Sequence, residues 1–390
     1  MSRRRPTARC EMPNSVGFVV GVRDDLVAGG DDSVDQPLTV LWSRLLHLDP
    51  GPETLAAASD AVIVAERHSR LVRLDLQSGE LLWEQRVEDC WGTAVIAGQR
   101  CLYLSQAGVL HCLDVDNGRR LWSTTGLGLH HYVSICRSTV LLGGWRGYRQ
   151  LVRVDLASGD LLPLQLPGLT PGSSFAWPLP VSLGAAADIG ADAFLVASAD
   201  QPTLALVDAR AGAVVDKWSL PAPVRFSDSG VAYRVGADGR IVFLSGARTV
   251  MALSPDNGVA TLWRHSRDLA ATPPMVSGRT LWLAETDCVT IVNLHTGVST
   301  EVKGLRLTAA CGTVPMPEGA LFACSGNQLV AVDRAGTVVA RMRLSARIDR
   351  LLSDGRTRVY AIGKGHLTAI DVGMSPSSAD SAGMLVGVDP

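Results

Sequence analysis

Between Leu71 and Trp83 the chain reads LVRLDLQSGELLW. Leu71, Arg73 and Asp75 alternate with Val72, Leu74 and Leu76, the period of a strand buried mainly on one face. Ser78-Gly79 then breaks the run, and glycine supplies the positive φ that a tight turn demands. Glu80 to Trp83 opens a second strand that ends in a large aromatic. The stretch predicts a β-hairpin with an Asp before the turn and a Trp after it.

The pattern recurs. Leu110 to Trp122 (LHCLDVDNGRRLW) places Asp114, Asn117-Gly118 and Trp122 at the same offsets. Leu151 to Pro163 repeats Asp155 and Ser158-Gly159, with Pro163 in place of the Trp. Weaker copies carry Asp208 with Ala211-Gly212, Ser254 with Asn257-Gly258 and Trp263, Asn293 with Thr296-Gly297, Asp333 with Ala335-Gly336, and a truncated LTAID ending at Asp371. Steps between Asp-equivalent positions are 39, 41, 53, 46, 39, 40 and 38 residues. A period near forty with several strands in each predicts an all-β fold of propeller blades.

The motif D-x-x-[ST]-G-x-x-x-W after an apolar alternating strand resembles the tryptophan-docking repeat of PQQ-like (quinoprotein-type) β-propellers. The resemblance covers roughly 38–371 and implies that each Trp packs between neighbouring blades while the turn closes an outer hairpin. The superfamily holds quinoprotein dehydrogenases and also cofactor-free scaffolds such as outer-membrane assembly lipoproteins, so it speaks to fold more than to function. Quinoprotein dehydrogenases resemble one another in a vicinal cysteine disulfide against the quinone, a facing Trp, and carboxylate and Asn ligands for calcium. This sequence has no adjacent cysteines, and no cofactor is expected.

The steps give eight blades, the eighth starting at Ala346 and reaching only its third strand, His366 to Val372. Its missing outer strand has a donor in Leu38 to Leu45 (LTVLWSRL), which carries Trp42. Closing the ring with a strand from the other terminus removes exposed sheet edges. The alternative is seven blades with one degenerate repeat. The expected organisation is a tail and lead-in over 1–37, a single propeller over 38–372, and a C-terminal tail over 373–390. The polar segment 1–13 shows no strand pattern.

An apolar fraction of 47% against 19% charged suffices for a continuous core. A net charge of −2 gives no general field for nucleic acid. No stretch has the length of a membrane helix, and MSRRRPTARCEMPNS lacks the apolar run of a signal peptide; a cytoplasmic protein is expected. Eight cysteines show no CxxC and no zinc spacing, so reduced thiols filling the core are favoured, although Cys90, Cys101 and Cys112 on successive strands could be bridged.

Propeller geometry places candidate chemistry without a catalytic motif. Inner-strand starts and the loops joining second and third strands open on one face, here called the top. Aromatics make up only 5% of the chain, yet Trp91, Tyr132, Trp145, Tyr148, Phe175 and Trp177 all map to the top of blades two to four, none in a docking position. With Arg146 and Arg350 as anion clamps they form a candidate ligand site. His130, His131 and Tyr132 are the candidate acid–base groups, His131 first, because neighbours on a strand face opposite ways. A metal would need a third ligand that no spacing supplies, so none is expected. Packing between blades is the competing role for every one of these aromatics. The step of 53 leaves surplus chain around 163–192, either a decorative loop or a lid.

The expected function is a non-redox binding or scaffold module holding an unidentified small molecule or protein partner on the top face or in the axial funnel. The alternative is a cofactor-independent enzyme, a cyclase, lyase or isomerase, acting in that funnel.

Overall fold

The computed structural model describes residues 8–9, 38–46, 55–57, 61–66, 70–87, 93–105, 107–128, 130–144, 151–169, 174–183, 192–226, 230–236, 239–254, 258–307, 312–316, 319–324, 326–354 and 358–372. Eight antiparallel sheets follow one another along the chain. Blade one spans 55–86, two 93–124, three 130–162, four 179–219, five 224–264, six 275–303 and seven 313–343. The first strands of successive blades pack together, which puts them around the axis.

Blade eight contains Arg350–Ser353, Arg358–Gly363 and His366–Asp371, and Thr39–Leu45 pairs antiparallel with the last of these as the outer strand. The N-terminal strand therefore closes the ring.

Hydrophobic alternation understates burial in the third strands. Leu71, Val72 and Leu74 are all buried, because each blade is covered on both faces by its neighbours. Only outer strands such as Leu81–Arg86 alternate between exposed and half-buried positions, since their outer edge meets solvent.

The turn motif has a mechanical reason. Asp75 Oδ1 accepts hydrogen bonds from the backbone N–H of Gln77 (2.9 Å) and Ser78 (2.8 Å), while Gly79 N–H donates to Asp75 O. The following residue, Leu76, presents its carbonyl to the preceding blade, where Trp42 Nε1 donates to it at 3.1 Å. Trp83 Nε1 donates likewise to Val115 O (2.7 Å), and Trp122 Nε1 to Leu156 O (3.1 Å). A guanidinium joins each indole on the same carbonyl: Arg358 on Leu76, Arg73 on Val115 and Arg100 on Leu156. Gly118, at φ 71°, leaves the space where the Trp83 ring sits, 2.7 Å from where a Cβ would stand. Gly159 does the same for Trp122.

Blade three has Pro163 at the docking position instead of a Trp, and the start of the surplus segment takes over that role. Pro163 O and the Arg153 guanidinium crowd Gly212 of blade four, Gln165 bridges Ala213 in parallel, and Lys217 Nζ donates to Gly168 O (3.3 Å). The start of the surplus, 163–169, thus forms an inter-blade seam. The described cysteines 101, 112, 136, 288 and 324 are free and buried. Burial pushes the Cys112 and Cys324 thiols up to about 11, so they remain neutral core groups.

Candidate functional site

Blade three's inner strand, His130–Cys136, pairs His130 with Gly144 and Tyr132 with Gly143, leaving His131 as the extra residue of a β-bulge. Simple alternation does not carry across a bulge, which re-aims the side chains around it. The order of preference between the two histidines therefore loses its basis.

Tyr132 is 2% exposed and stacks on Trp177, with ring centroids 5.3 Å apart and planes at 22°. Trp177 Nε1 donates to Val133 O (3.1 Å), and its backbone N–H donates to Gly230 O (2.8 Å). Gly230 lies so close that a Cβ there would fall 2.2 Å from the Tyr132 ring. The pair therefore ties blades three, four and five together.

Gly230 arrives there by a detour that the sequence pattern did not reveal. In blade five Arg225 pairs with Leu244 and Tyr233 pairs with Phe243, so Phe226 and 230–232 lie off the ladder between adjacent register positions. The same inner segment reaches the other way as well. Arg225 Nη1 donates to Leu269 O (2.7 Å), and Arg234 Nη2 donates to Thr313 O (3.0 Å), two blades on.

Of the remaining candidates, Phe175 is buried in a neighbouring apolar cluster with Cys136, Leu169 and Phe194. Arg350 is 6% exposed at the start of blade eight's inner strand, opposite Ile362, and so stands apart from the aromatic pair. The side chains of His130 and His131, and Trp91, Trp145, Arg146 and Tyr148 altogether, lie outside the described residues.

Two further top-face features come from blades five to eight. Glu285 directly follows blade six's second strand, Thr280–Ala284, and is 6% exposed. Its carboxylate accepts from Thr290 Oγ1 (2.5 Å) and pairs with Arg267 Nε (3.0 Å), while His265 Nε2 stands 3.3 Å away. Arg267 also pairs with Glu301, and the two carboxylates, Glu285 first, hold its guanidinium even more firmly protonated. Burial, seconded by Glu285, pushes the Cys288 thiol up to about 11, so it is neutral rather than nucleophilic. Blade one repeats the device with Glu66, Arg70 and Glu84. Glu66 and Glu285 stand where second strands give way to the top-face loops, but their partners arrive from other strands and loops and carry no local signal.

The second feature is a shallow dimple over blade eight, lined by Leu344, Arg347, Ile348, Gly363, His366 and Thr368. Arg347 Nε pairs with Asp349 at 3.1 Å beside it. Among the described residues no three His, Cys, Asp or Glu side chains come together as metal ligands.

Comparison with known proteins agrees with the fold. The family model described as outer membrane protein assembly factor BamB matches residues 33–166. No curated protein sequence matches the chain. Among solved structures, BamB from Moraxella catarrhalis superposes with a TM-score of 0.65 at 18% identity, covering 86% of this chain and 98% of that one. The computationally designed Ika8 protein gives 0.61 at 12% identity, over 84% and 99%. Quinohemoprotein alcohol dehydrogenase from Comamonas testosteroni gives 0.61 at 12% identity, over 90% and 79%. The chain is an eight-bladed β-propeller, and over residues 33–166 its repeats match the PQQ-type family model.

Proposed function

We propose that this propeller is a non-redox binding or scaffold module that holds a partner on its top face over blades three to five. The observation that carries this is the Tyr132–Trp177 pair locked beneath Gly230. It joins three blades into one stiff platform, so loops projecting from it bind with little ordering cost. The likeness to an outer membrane protein assembly factor over 33–166 supports an assembly role in preference to turnover.

The test is quantitative affinity capture by the full chain, its Trp145→Ala/Arg146→Ala variant, and an Arg279→Ala control on the opposite face. The platform variant should lose its partner by on the order of tenfold or more, as hot-spot truncation does, with an unchanged melting temperature. The control should bind as the parent does. Equal capture by all three would overturn the assignment.

A further inference from the structure

Blade four is the one described blade whose inner strand carries an additional neighbour on the axial side. Ala8–Arg9 pairs antiparallel with it, Ala8 opposite Leu183 and Arg9 opposite Ser182. Nothing in the polar composition of 1–13 announces a strand, because a pairing of two residues draws on backbone groups and needs no apolar alternation.

The hydrogen-bond pattern shows which groups this edge offers. Asp192 O accepts from Ala209 N–H at 3.0 Å, so the backbone of Asp192 faces away from the inner strand. Its pair with Ser182 is therefore a non-hydrogen-bonded one. Ser182 must then turn its N–H and C=O toward the channel, and by the two-residue period so does Pro180. Proline has no N–H to offer, which blunts the upper part of the edge. Ser182 is left as the point where an extended chain can exchange two backbone hydrogen bonds.

The topology also lets the N-terminal segment reach this place. Inner strands run from the top face to the opposite face, and outer strands run back. Ser182 and the start of Thr39–Leu45 therefore lie toward the same face. The 29 residues between Arg9 and Thr39 can span up to ~95 Å at ~3.3 Å each, far more than the radius of a single blade.

We propose that the channel edge at Ser182 is a docking site for an extended peptide by strand addition, and that the chain's own Ala8–Arg9 fills it in cis. Two paired residues make a contact weak enough to exchange. The tether holds the segment at about millimolar local concentration, so a free peptide competes well only once the segment is gone. Recognition is by main-chain hydrogen bonds, as in other strand additions.

The experiment uses a fluorescent synthetic peptide of residues 1–14, titrated against the full chain and a variant lacking 1–13. The truncated chain should bind it saturably and at least about tenfold more tightly than the full chain does. Ser182→Pro in the truncated chain should abolish binding, since it removes the channel-facing N–H but no hydrogen bond to the second strand; Ser182→Ala should retain it. Should Ser182→Pro fail to fold, a peptide carrying Arg9→Pro must fail to bind the unaltered truncated chain. Equal affinity for full and truncated chains, no binding to either, or undiminished binding by the proline-bearing partner would overturn the proposal. The top-face platform plays no part in any of these outcomes.

Discussion

Two arcs of one ring are held by different means. From blade eight through blade three, each junction has an indole and a guanidinium donating to one carbonyl behind the next blade's turn. From blade four onward the turns at Asp208, Asn293 and Asp333 are present, but among the described residues no indole and guanidinium share a carbonyl behind them. Trp263 is opposite Val250, four residues before Ser254, whereas Trp83 is opposite Arg73, two before Asp75. Those extra rungs carry Trp263 past the turn of blade six. Its buried Nε1 has no partner, and the space over Gly297 is open. Trp263 packs instead among Val250, Leu281 and Leu283. The family-model match, 33–166, covers the Trp42 strand and blades one to three and stops beyond Pro163, where the Trp is lost. This propeller closes with the latch at only some of its junctions.

Breaking the comparison at its seam should have the largest effect. Deleting residues 1–46 removes the outer strand of blade eight together with Trp42, and thermal unfolding should cease to be cooperative. A melting temperature within a degree or two of the parent's would refute the closure.

Trp42→Ala should cost about 3–5 kcal/mol, as truncating a buried aromatic leaves a cavity; chemical denaturation measures it. Trp42 is only 6% exposed, while Trp83 and Trp122 are half-buried and should lie at or below the bottom of that range.

Glycine-to-alanine substitutions isolate the ring seat. Gly118 and Gly297 share nearly the same φ, 71° and 73°, so both bear a left-handed penalty of about 1–2 kcal/mol. Gly118→Ala also meets the Trp83 ring, adding about 1–3 kcal/mol of overpacking. The two variants should therefore differ, and equal losses would mean that the ring yields freely.

Smaller still is the hydrogen bond itself. Trp83→Phe should cost about 1 kcal/mol more than Trp263→Phe, because only the former surrenders a made hydrogen bond.

Acid should act mildly on the turns. Backbone hydrogen bonds, Ser78 N–H first, hold the Asp75 carboxyl below its ordinary 3.8, and Ser158 does the same for Asp155. A carboxyl depressed in the folded state adds stability above its unfolded value, and that stability is lost as pH falls through the folded one. An acid titration of Asp75→Asn should accordingly show a shallower decline below about pH 4 than the parent's.

What was legible in the sequence was local or followed from counting. Asp75, Gly79 and Trp83 declare the hairpin within nine residues, and the eighth blade's missing strand pointed to Leu38–Leu45. What stayed hidden joins distant chain without a spacing rule. Arg73 looked like the solvent side of a strand, yet it reaches Val115 O in the next blade. The sequence before Gly230 carries no break stronger than Ser-Asp-Ser-Gly, yet Gly230 is what covers Tyr132. Trp263 sat near the docking offset and still missed the turn, because a bulge or one added residue changes which rung faces it.

Native-state hydrogen exchange tests the two-arc account most directly. Amides in the inner and third strands of blades one to three should exchange only through global unfolding. Their counterparts in blades five to seven should open through smaller, sub-global excursions with visibly lower protection. Uniform protection around the ring, or greater protection in blades five to seven, would contradict it.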